Sequence, residues 1–406
     1  MKQLLVGAGG AAPREAGRPI FVSGVEKGMY LSRLEMRDFR NYRQMGLSLP
    51  AGVVVLHGPN GAGKTNLLEA VAVAATGDSP RAGITGELVR GGCEYGFVRG
   101  DFVGAERNAR IEMGLARTGQ RRIKIAGVVR RRADLIGLAP VVLFWVEDIE
   151  TVRGEPSGRR RLLDRELSAV RRPYYEHLSR YRRALEQRNR LLKSIREGRA
   201  SAAALDPWDR GAARHGARVM LERSEFIASL APEAERSHET LTAGKRRLCV
   251  EYRPSVAMPT GQSDGSDGKE TAARVEEIAG NLTKVLTEQR SGDIRYGTTA
   301  CGPHRDDVAL TLDGQPIRVF GSQGEQRSCA LAIRLGLAAV VRKLTGQAPL
   351  LLLDDVLSEL DERHRRGVFA GCASEQVIVT CCDYEDIPVE VREAGAVLGI
   401  HEGSVV

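Results

Sequence analysis

Four continuous apolar runs predict buried strands. They cover residues 53–56, 141–144, 349–353 and 376–380, and Val, Ile and Leu dominate them. A strand that is covered on both faces has such a run, whereas a strand with one face in water alternates between apolar and polar residues. We therefore expect these four segments to lie in the interior of an α/β fold.

Alternating positions predict antiparallel strands elsewhere. Residues 30–48 read as a strand, a turn at 39–42 and a second strand. Residues 95–146 alternate apolar and polar side chains over short runs, which is typical of hairpins. Residues 308–312 add one more strand, followed by an Asp-Gly turn.

In the middle of the chain, apolar residues recur every three or four positions over roughly 26 residues, which predicts a helix. A helix of that length would form an arm about 40 Å long. The spaced residues are Leu178, Tyr181, Leu185, Leu192 and Ile195. Arg188 interrupts them at an expected apolar position. We expect other helices at 66–75, 210–237, 276–288 and 324–344, and a loop or disordered linker at 254–269.

The order of these elements predicts one α/β domain that is split by an insertion. Strand-rich segments at 29–150 and 292–406 flank the helical residues 151–291, which we expect to form an inserted basic α-helical domain. Residues 1–28 resemble neither part. We expect them to be a disordered or spurious N-terminal extension, with Met29 as the true start.

A phosphate-binding loop follows the first buried strand. It fits G-x-x-x-x-G-K-[ST] between a strand and a helix, a context that favours ATP and Mg²⁺ over a plain Gly-rich turn. Backbone N–H groups would point at the phosphates, the lysine would add positive charge, and the threonine hydroxyl would bind Mg²⁺. The loop consists of Gly58, Pro59, Asn60, Gly61, Ala62, Gly63, Lys64 and Thr65.

Two acidic residues end the apolar run at 349–353. Ligands bind at the carboxyl ends of strands in open α/β sheets. We therefore expect Asp354 to hold Mg²⁺ through water and Asp355 to orient the water that attacks the γ-phosphate. A strand that simply ends in a polar turn is the alternative.

A second candidate anion site lies at residues 322–326, Ser-Gln-Gly-Glu-Gln, where a helix begins. A hydroxyl and an amide at a helix N-terminus suit a phosphate. Because the phosphate loop already supplies one such site, we expect Ser322 to act on the nucleotide of a second subunit. A plain helix N-cap is the alternative.

The chain is basic, and the excess charge is concentrated. The net charge is +8, and residues 151–200 alone contain fifteen Lys or Arg against six Asp or Glu. This favours a nucleic-acid partner, with a solvated helix face as the alternative. Seven scattered cysteines indicate reduced thiols in the cytoplasm, and no apolar run approaches the ~20 residues that cross a membrane.

In combination, these motifs resemble the ABC-type ATPases of DNA maintenance, the group that includes the SMC proteins. The closer resemblance, over about residues 29–390, is to the RecF family of recombination mediators. This resemblance rests on four segments, which are 30–42, 154–164, 302–307 (Gly-Pro-His-Arg-Asp-Asp) and 322–327. The end of the Walker B strand and the D-loop, at 354–361, support it as well.

The resemblance implies an ABC-type P-loop ATPase head, with a mixed sheet and flanking helices, interrupted by a helical arm domain. It also implies an ATP-dependent homodimer that binds single-stranded DNA and gapped or junction duplex DNA. With RecO and RecR it would assist RecA loading and SOS induction. By position, Ser322 and Gln326 would contact the γ-phosphate across the dimer, Gly324 and Asp361 would lie at the interface, and Arg40 and Asn41 near the nucleotide.

Three departures from the family pattern predict slow hydrolysis. Trp145 stands where the strand at 141–144 should lead to a Gln-containing loop, residues 380–383 lack the usual switch His, and Asp355 replaces a Glu. We expect a weak DNA-dependent ATPase in which ATP acts as a latch. A non-catalytic nucleotide-gated scaffold for protein partners is the alternative, and a transporter ATPase subunit is a less favoured one.

Overall fold

The computed structural model describes residues 28–104, 107–145, 148–244, 246–259, 268–357, 365, 369 and 376–405. Its strands are β1 (Tyr30–Phe39), β2 (Tyr42–Ser48), β3 (Gly52–His57), β4 (Tyr95–Val103), β5 (Asn108–Ala116), β6 (Arg121–Ile125), β7 (Val128–Arg130), β8 (Val141–Phe144), β9 (Leu248–Arg253), β10 (Asp307–Leu312), β11 (Gln315–Pro316), β12 (Leu350–Leu353), β13 (Gln376–Cys381), β14 (Ala396–His401) and β15 (Ser404–Val405).

Helices connect and cover these strands. They are α1 (Lys64–Thr76), α2 (Ile149–Arg153), α3 (Pro156–Val170), α4 (Arg172–Arg196), α5 (Asp206–Thr242), α6 (Gly268–Glu288), α7 (Arg290–Tyr296), α8 (Ile317–Phe320), α9 (Gln323–Thr345) and α10 (Val389–Ala394). Within the part of the chain that is described, no helix has the length and apolar character that a membrane span requires.

The four apolar runs form the central sheet, as predicted. Strands β14, β3, β13, β12 and β8 lie side by side in this order and run parallel, and β15 adds an antiparallel edge. Val53 and Val55 of β3 pack into the core that contains α9, whereas Val54 and Leu56 pack into the core that contains α1. Both faces are therefore covered, which explains the absence of alternation.

The predicted hairpins form a second sheet. Strands β2, β1, β4, β5, β6 and β7 lie in this order, and every neighbouring pair is antiparallel. The β6–β7 turn has positive φ at both Ala126 (49°) and Gly127 (79°), a backbone shape that matches the twist of a tight hairpin. One face of this sheet is buried with α1, and its other face is exposed or half-buried.

The helix of roughly 26 residues that the apolar spacing predicted is α4, which has 25 residues. The stretch at 156–199 splits into α3 and α4 because Pro173 cannot donate the backbone hydrogen bond that would continue α3. Helix α5 extends beyond the predicted 210–237 and continues through Pro232. Arg188 is fully buried in α4, paired with Asp209 and Asp293.

The helical segment shares a core with the strand-rich segments. Leu178 of α4 and Leu230 of α5 belong to the same apolar cluster as Val142 of β8 and Leu331 of α9. Strand β9, from the predicted insertion, pairs with β10. The boundaries drawn at 150 and 291 stay predictions, but the helices are attached to the head by a continuous core.

Candidate functional site

The phosphate loop is shaped by glycines that no other residue can replace. A Cβ on Gly58 would lie 2.2 Å from the carbonyl oxygen of Ile400, and one on Gly63, where φ is 114°, would lie 2.7 Å from Nδ2 of Asn41. Any residue with a Cβ would clash with these neighbours, so glycine is the residue that fits at both positions. The loop ends at the first turn of α1, and the unpaired backbone N–H groups of a helix N-terminus attract phosphate.

A cavity of about 260 Å³ lies against this loop. Lys64 reaches it, and its Nζ donates to the carbonyl oxygens of Gly58 (2.6 Å) and Pro59 (3.0 Å). The cavity lies at one edge of the sheet, where β3, β12 and β13 end. Its other lining residues are Asn60, Gly61, Gly63, Thr65, Asn66, Arg81, Asp354, Asp355, Thr380 and Cys382.

Thr65 and Asp354 form the candidate Mg²⁺ site. The Thr65 hydroxyl donates to both carboxylate oxygens of Asp354, at 3.0 and 2.9 Å, and Thr380 Oγ1 donates to Oδ1 at 2.8 Å. Burial raises the pKa of Asp354, and these hydroxyl donors oppose that rise. A hydroxyl and one carboxylate suit Mg²⁺, which takes its other oxygens from phosphates and water.

The metal would depend on the nucleotide. Among the described residues, no group of three or more His, Cys, Asp and Glu could hold an ion alone. Asp355, which lines the cavity next to Asp354, has a left-handed backbone (φ 51°), and its N–H donates to Thr380 Oγ1 (2.9 Å). Asp361, predicted at the interface, lies outside the described residues.

Arg40 and Asn41 brace the loop from the β1–β2 turn. Asn41 Nδ2 donates to the carbonyl oxygen of Ala62 (3.3 Å). Arg40 forms a two-pronged ion pair with the fully buried Glu69 of α1, 2.8 Å for each prong, and the hydrogen bond to Glu69 raises the pKa of Arg40. Neither side chain lines the cavity, so their predicted contact with the nucleotide stays a prediction.

Ser322 is the N-cap of α9. Its hydroxyl accepts from the N–H of Glu325 (3.3 Å), and the Glu325 carboxylate accepts from the Ser322 N–H (2.8 Å). Ser322 and Gly324 are nevertheless exposed and are not among the described residues around the cavity. Gln326 is buried, and its amide donates to the carbonyl oxygens of Gly321 (3.0 Å) and Ile317 (3.4 Å), which holds the loop before α9 rigid.

Sequence reasoning did not assign Thr380, Cys382 and Arg81 to the site. The carboxyl ends of parallel strands meet at one edge, and this pattern could have identified Thr380 and Cys382. Cys382 lies in the segment 380–383, which lacks the usual switch His, and its Sγ is 3.6 Å from Lys64 Nζ. No sequence signal marks Arg81, whose guanidinium lies 5.8 Å from the centre of the Trp145 ring.

The segment at 302–307 is a structural clamp and does not line the cavity. Buried Asp306 accepts from Tyr252 and lies 3.5 Å from Arg223, which also donates to Asp164 (2.6 Å). Asp307 pairs with Arg159 of α3 (2.8 Å). These bonds join α3, α5, β9 and β10, and burial lowers the pKa of the adjacent His304 to about 4.

Most cations of the basic stretch 151–200 are neutralised within the fold. Their acidic partners include Asp134, Glu222 and Asp293, which lie outside the stretch. Ten of the fifteen form ion pairs with described residues: Arg153, Arg159, Arg165, Arg171, Arg172, Arg180, Arg182, Arg188, Arg190 and Arg199.

The described cysteines are free thiols.

Comparison with known proteins gives a consistent picture. The family model described as the RecF/RecN/SMC N terminal domain matches residues 30–395. The DNA replication and repair protein RecF of Renibacterium salmoninarum is 37% identical over 386 residues, covering 89% of this chain and 96% of its own. The protein of the same name from Symbiobacterium thermophilum is 38% identical over 366 residues, with 89% and 93% covered.

Solved structures agree with this. The recombination mediator protein RecF-ATP in the RecFOR pathway superposes with a TM-score of 0.83 at 30% identity, over 93% of this chain and 97% of its own. An Smc head bound to the C-winged helix domain of ScpA superposes with a TM-score of 0.50 at 14% identity, over 93% of this chain and 97% of its own, which indicates a shared fold alone. The predicted ABC-type ATPase head is confirmed.

Proposed function

The chain belongs to the RecF/RecN/SMC N terminal domain family and, within it, to the RecF proteins, and we propose that it is an ATP-dependent DNA-binding protein of DNA replication and recombinational repair. The observation that carries the nucleotide part is the contact of Thr65 with Asp354 beside Lys64 in one cavity. This arrangement suits the triphosphate of ATP with its metal ion.

Each residue of the cavity has a distinct task. Backbone N–H groups of residues 58–65 cradle the β- and γ-phosphates, and Lys64 exchanges its two carbonyl partners for phosphate oxygens. Thr65 and Asp354 would hold Mg²⁺, which neutralises phosphate charge when bound. Asp355 orients the attacking water, and Arg81 adds a cation at the cavity wall.

The site closes between two copies of the chain. Ser322 and Gly324 present the exposed N-terminus of the 23-residue helix α9, whose backbone N–H groups and helix dipole attract an anion. They do not line the cavity of their own subunit, and in this proposal they cap the γ-phosphate that the partner subunit holds. Gln326 contributes by fixing the loop before Ser322, in addition to its expected contact with the γ-phosphate.

ATP hydrolysis is slow in this proposal. Asp355 is one methylene shorter than the Glu that is usual in this position, and residues 380–383 lack the usual switch His, so the attacking water is held less firmly. ATP therefore acts as a latch that keeps the dimer closed on DNA, and DNA stimulates a weak ATPase. A turnover above roughly 10 per second, a median enzyme rate, would contradict this.

The partners follow from the family. The related structures carry the name of the RecFOR pathway. The binding of single-stranded DNA and of gapped or junction DNA in the cytoplasm is part of our proposal and rests on the resemblance of the motifs. RecO and RecR would act with it to load RecA, and the same complexes would support SOS induction.

Sedimentation with and without an uncleavable ATP analogue tests the proposal. We expect wild type to shift from monomer to dimer, Lys64→Ala to lose analogue binding, and Ser322→Arg to bind the analogue but stay monomeric. Ser48→Arg, an exposed β2 position away from α9, is the matched control and should dimerise. Wild type that stays monomeric while saturated with the analogue would refute closure between two copies.

A further inference from the structure

The outward face of the antiparallel sheet carries an exposed cluster that the nucleotide site does not use. We call it the sheet platform and define it by Arg37, Tyr95, Phe97, Gly114 and Arg122. Strand register places four of these residues in one row, since Arg37 is opposite Phe97, Phe97 is opposite Gly114, and Gly114 is opposite Arg122. Neighbouring strands are about 4.8 Å apart, so the row extends about 14 Å.

Two aromatic side chains lie on this platform. Tyr95 is 74% exposed and Phe97 is half-buried, while the intervening Gly96 and the following Val98 face the core. Residues two apart on a strand are about 7 Å apart and point to the same side. A Cβ on Gly114 would have no atom closer than 3.9 Å, so the space beside Phe97 is open.

The cations of the platform are available. Arg37 and Arg122 are exposed, and neither forms an ion pair with any described residue. Lys124, one pair further along β6, has Glu112 as its cross-strand neighbour without an ion pair. At the other end of the same face, by contrast, Asp101 pairs with both Arg99 and Arg110.

Resting on the proposed DNA-binding function, we propose that the sheet platform binds single-stranded DNA, with bases stacked on Tyr95 and Phe97 and phosphates held by Arg37 and Arg122. Base stacking on aromatic side chains and flanking cations are the two elements of such sites, and sheet-based modules stack two or three bases in this way. A duplex keeps its base faces stacked inside, so exposed rings would add nothing to its affinity.

The test measures binding of a fluorescein-labelled oligo(dT) of about 15 nucleotides by anisotropy, with the uncleavable ATP analogue present. We expect Tyr95→Ala to weaken binding about tenfold, since a stacked base contributes a factor of that order. Tyr95→Phe should bind like wild type, because the ring is retained. Affinity for a blunt duplex of equal length should stay unchanged in Tyr95→Ala.

Arg122→Gln tests the phosphate contact and Arg110→Gln is its control. Both arginines are on the outward face of the sheet, but Arg110 is already paired with Asp101. Each phosphate contact to a single strand contributes about 0.7 to the slope of log affinity against log salt. We expect Arg122→Gln to lower the slope by about that amount and Arg110→Gln to leave it unchanged.

Cross-linking identifies the surface directly. An oligonucleotide with 5-iodouracil should form adducts at Tyr95 or Phe97. Tyr95→Ala and Arg122→Gln that bind like wild type, or adducts confined to other segments, would overturn the platform and leave the DNA-binding function standing. Wild type without affinity for any oligonucleotide would refute the function itself and the platform with it. A variant that keeps DNA affinity but loses association with a protein would assign the surface to that protein and overturn the proposal.

Discussion

The basic segment 151–200 and the sheet platform carry positive charge in opposite ways. The segment has the larger excess, but most of its arginines are held by acids of the same fold. The platform has fewer cations, and Arg37 and Arg122 form no ion pair with described residues. Charge that is counted along a sequence therefore differs from charge that a partner can reach.

Packing explains the difference. One face of helix α4 packs against α5 and α7, so the long side chains on that face meet acids from both helices. Arginine suits such sites because its planar fork makes several directed hydrogen bonds. On the outward side of an antiparallel sheet, every second side chain of a strand faces water. A cation there stays hydrated and does not need an acidic neighbour.

The largest effect should come from Arg188, at the centre of the paired region. Arg188→Met leaves the buried Asp293 without its ion-pair partner and leaves Asp209 with Arg290 alone, and such losses cost about 3–5 kcal/mol. We expect the free energy of unfolding, measured by denaturant titration, to fall by that amount. Arg190→Gln, which removes an exposed pair with Glu186, should cost about 0.5 kcal/mol or less. Equal stability of both variants would remove the contrast between the regions.

A second prediction compares DNA binding by the two regions. The double variant Arg37→Gln/Arg122→Gln should lower the salt slope for single-stranded DNA by about 1.4, since each lost phosphate contact contributes about 0.7. The matched double variant Arg180→Gln/Arg190→Gln removes two exposed cations that Glu176 and Glu186 already neutralise. Its slope should stay near the wild-type value. The reverse result would return DNA binding to the helical segment.

The smallest effect concerns Asp354, a buried carboxylate whose hydrogen-bond donors are the hydroxyls of Thr65 and Thr380. Its pKa is raised above the usual 3.8, so its contribution to stability is fully present below that pH and is lost as pH rises through the raised pKa. Asp354→Asn should therefore melt above wild type at pH 7 without nucleotide. The difference should vanish in acid.

The same variant should lose Mg²⁺-dependent ATP binding, because the amide cannot replace the carboxylate as a ligand. Differential scanning calorimetry from pH 3 to 7, with and without Mg²⁺-ATP, measures both effects. A variant that melts below wild type at pH 7 would show that Asp354 stabilises the empty site, contrary to its raised pKa.

The local patterns alone determined four of the buried parallel strands and the phosphate loop. Continuous apolar runs specified β3, β8, β12 and β13 because a strand that is buried on both faces tolerates little else. Residues 58–65 predicted the phosphate loop because each residue type in it has its own task. The glycines allow the tight backbone, and the lysine and threonine bind the phosphates and the metal ion. The family followed from motifs in a fixed order.

Only the tertiary structure decided which charges are free and which residues meet. No local sequence signal indicated that Asp209 and Asp293 would neutralise Arg188. None indicated that Arg81 and Cys382 would line the cavity. Gln326 reads as a ligand along the chain, yet its amide supports the turn before α9. Hydrogen bonds and ion pairs depend on distances between segments far apart in sequence, and those distances exist only once the sheets and helices have packed.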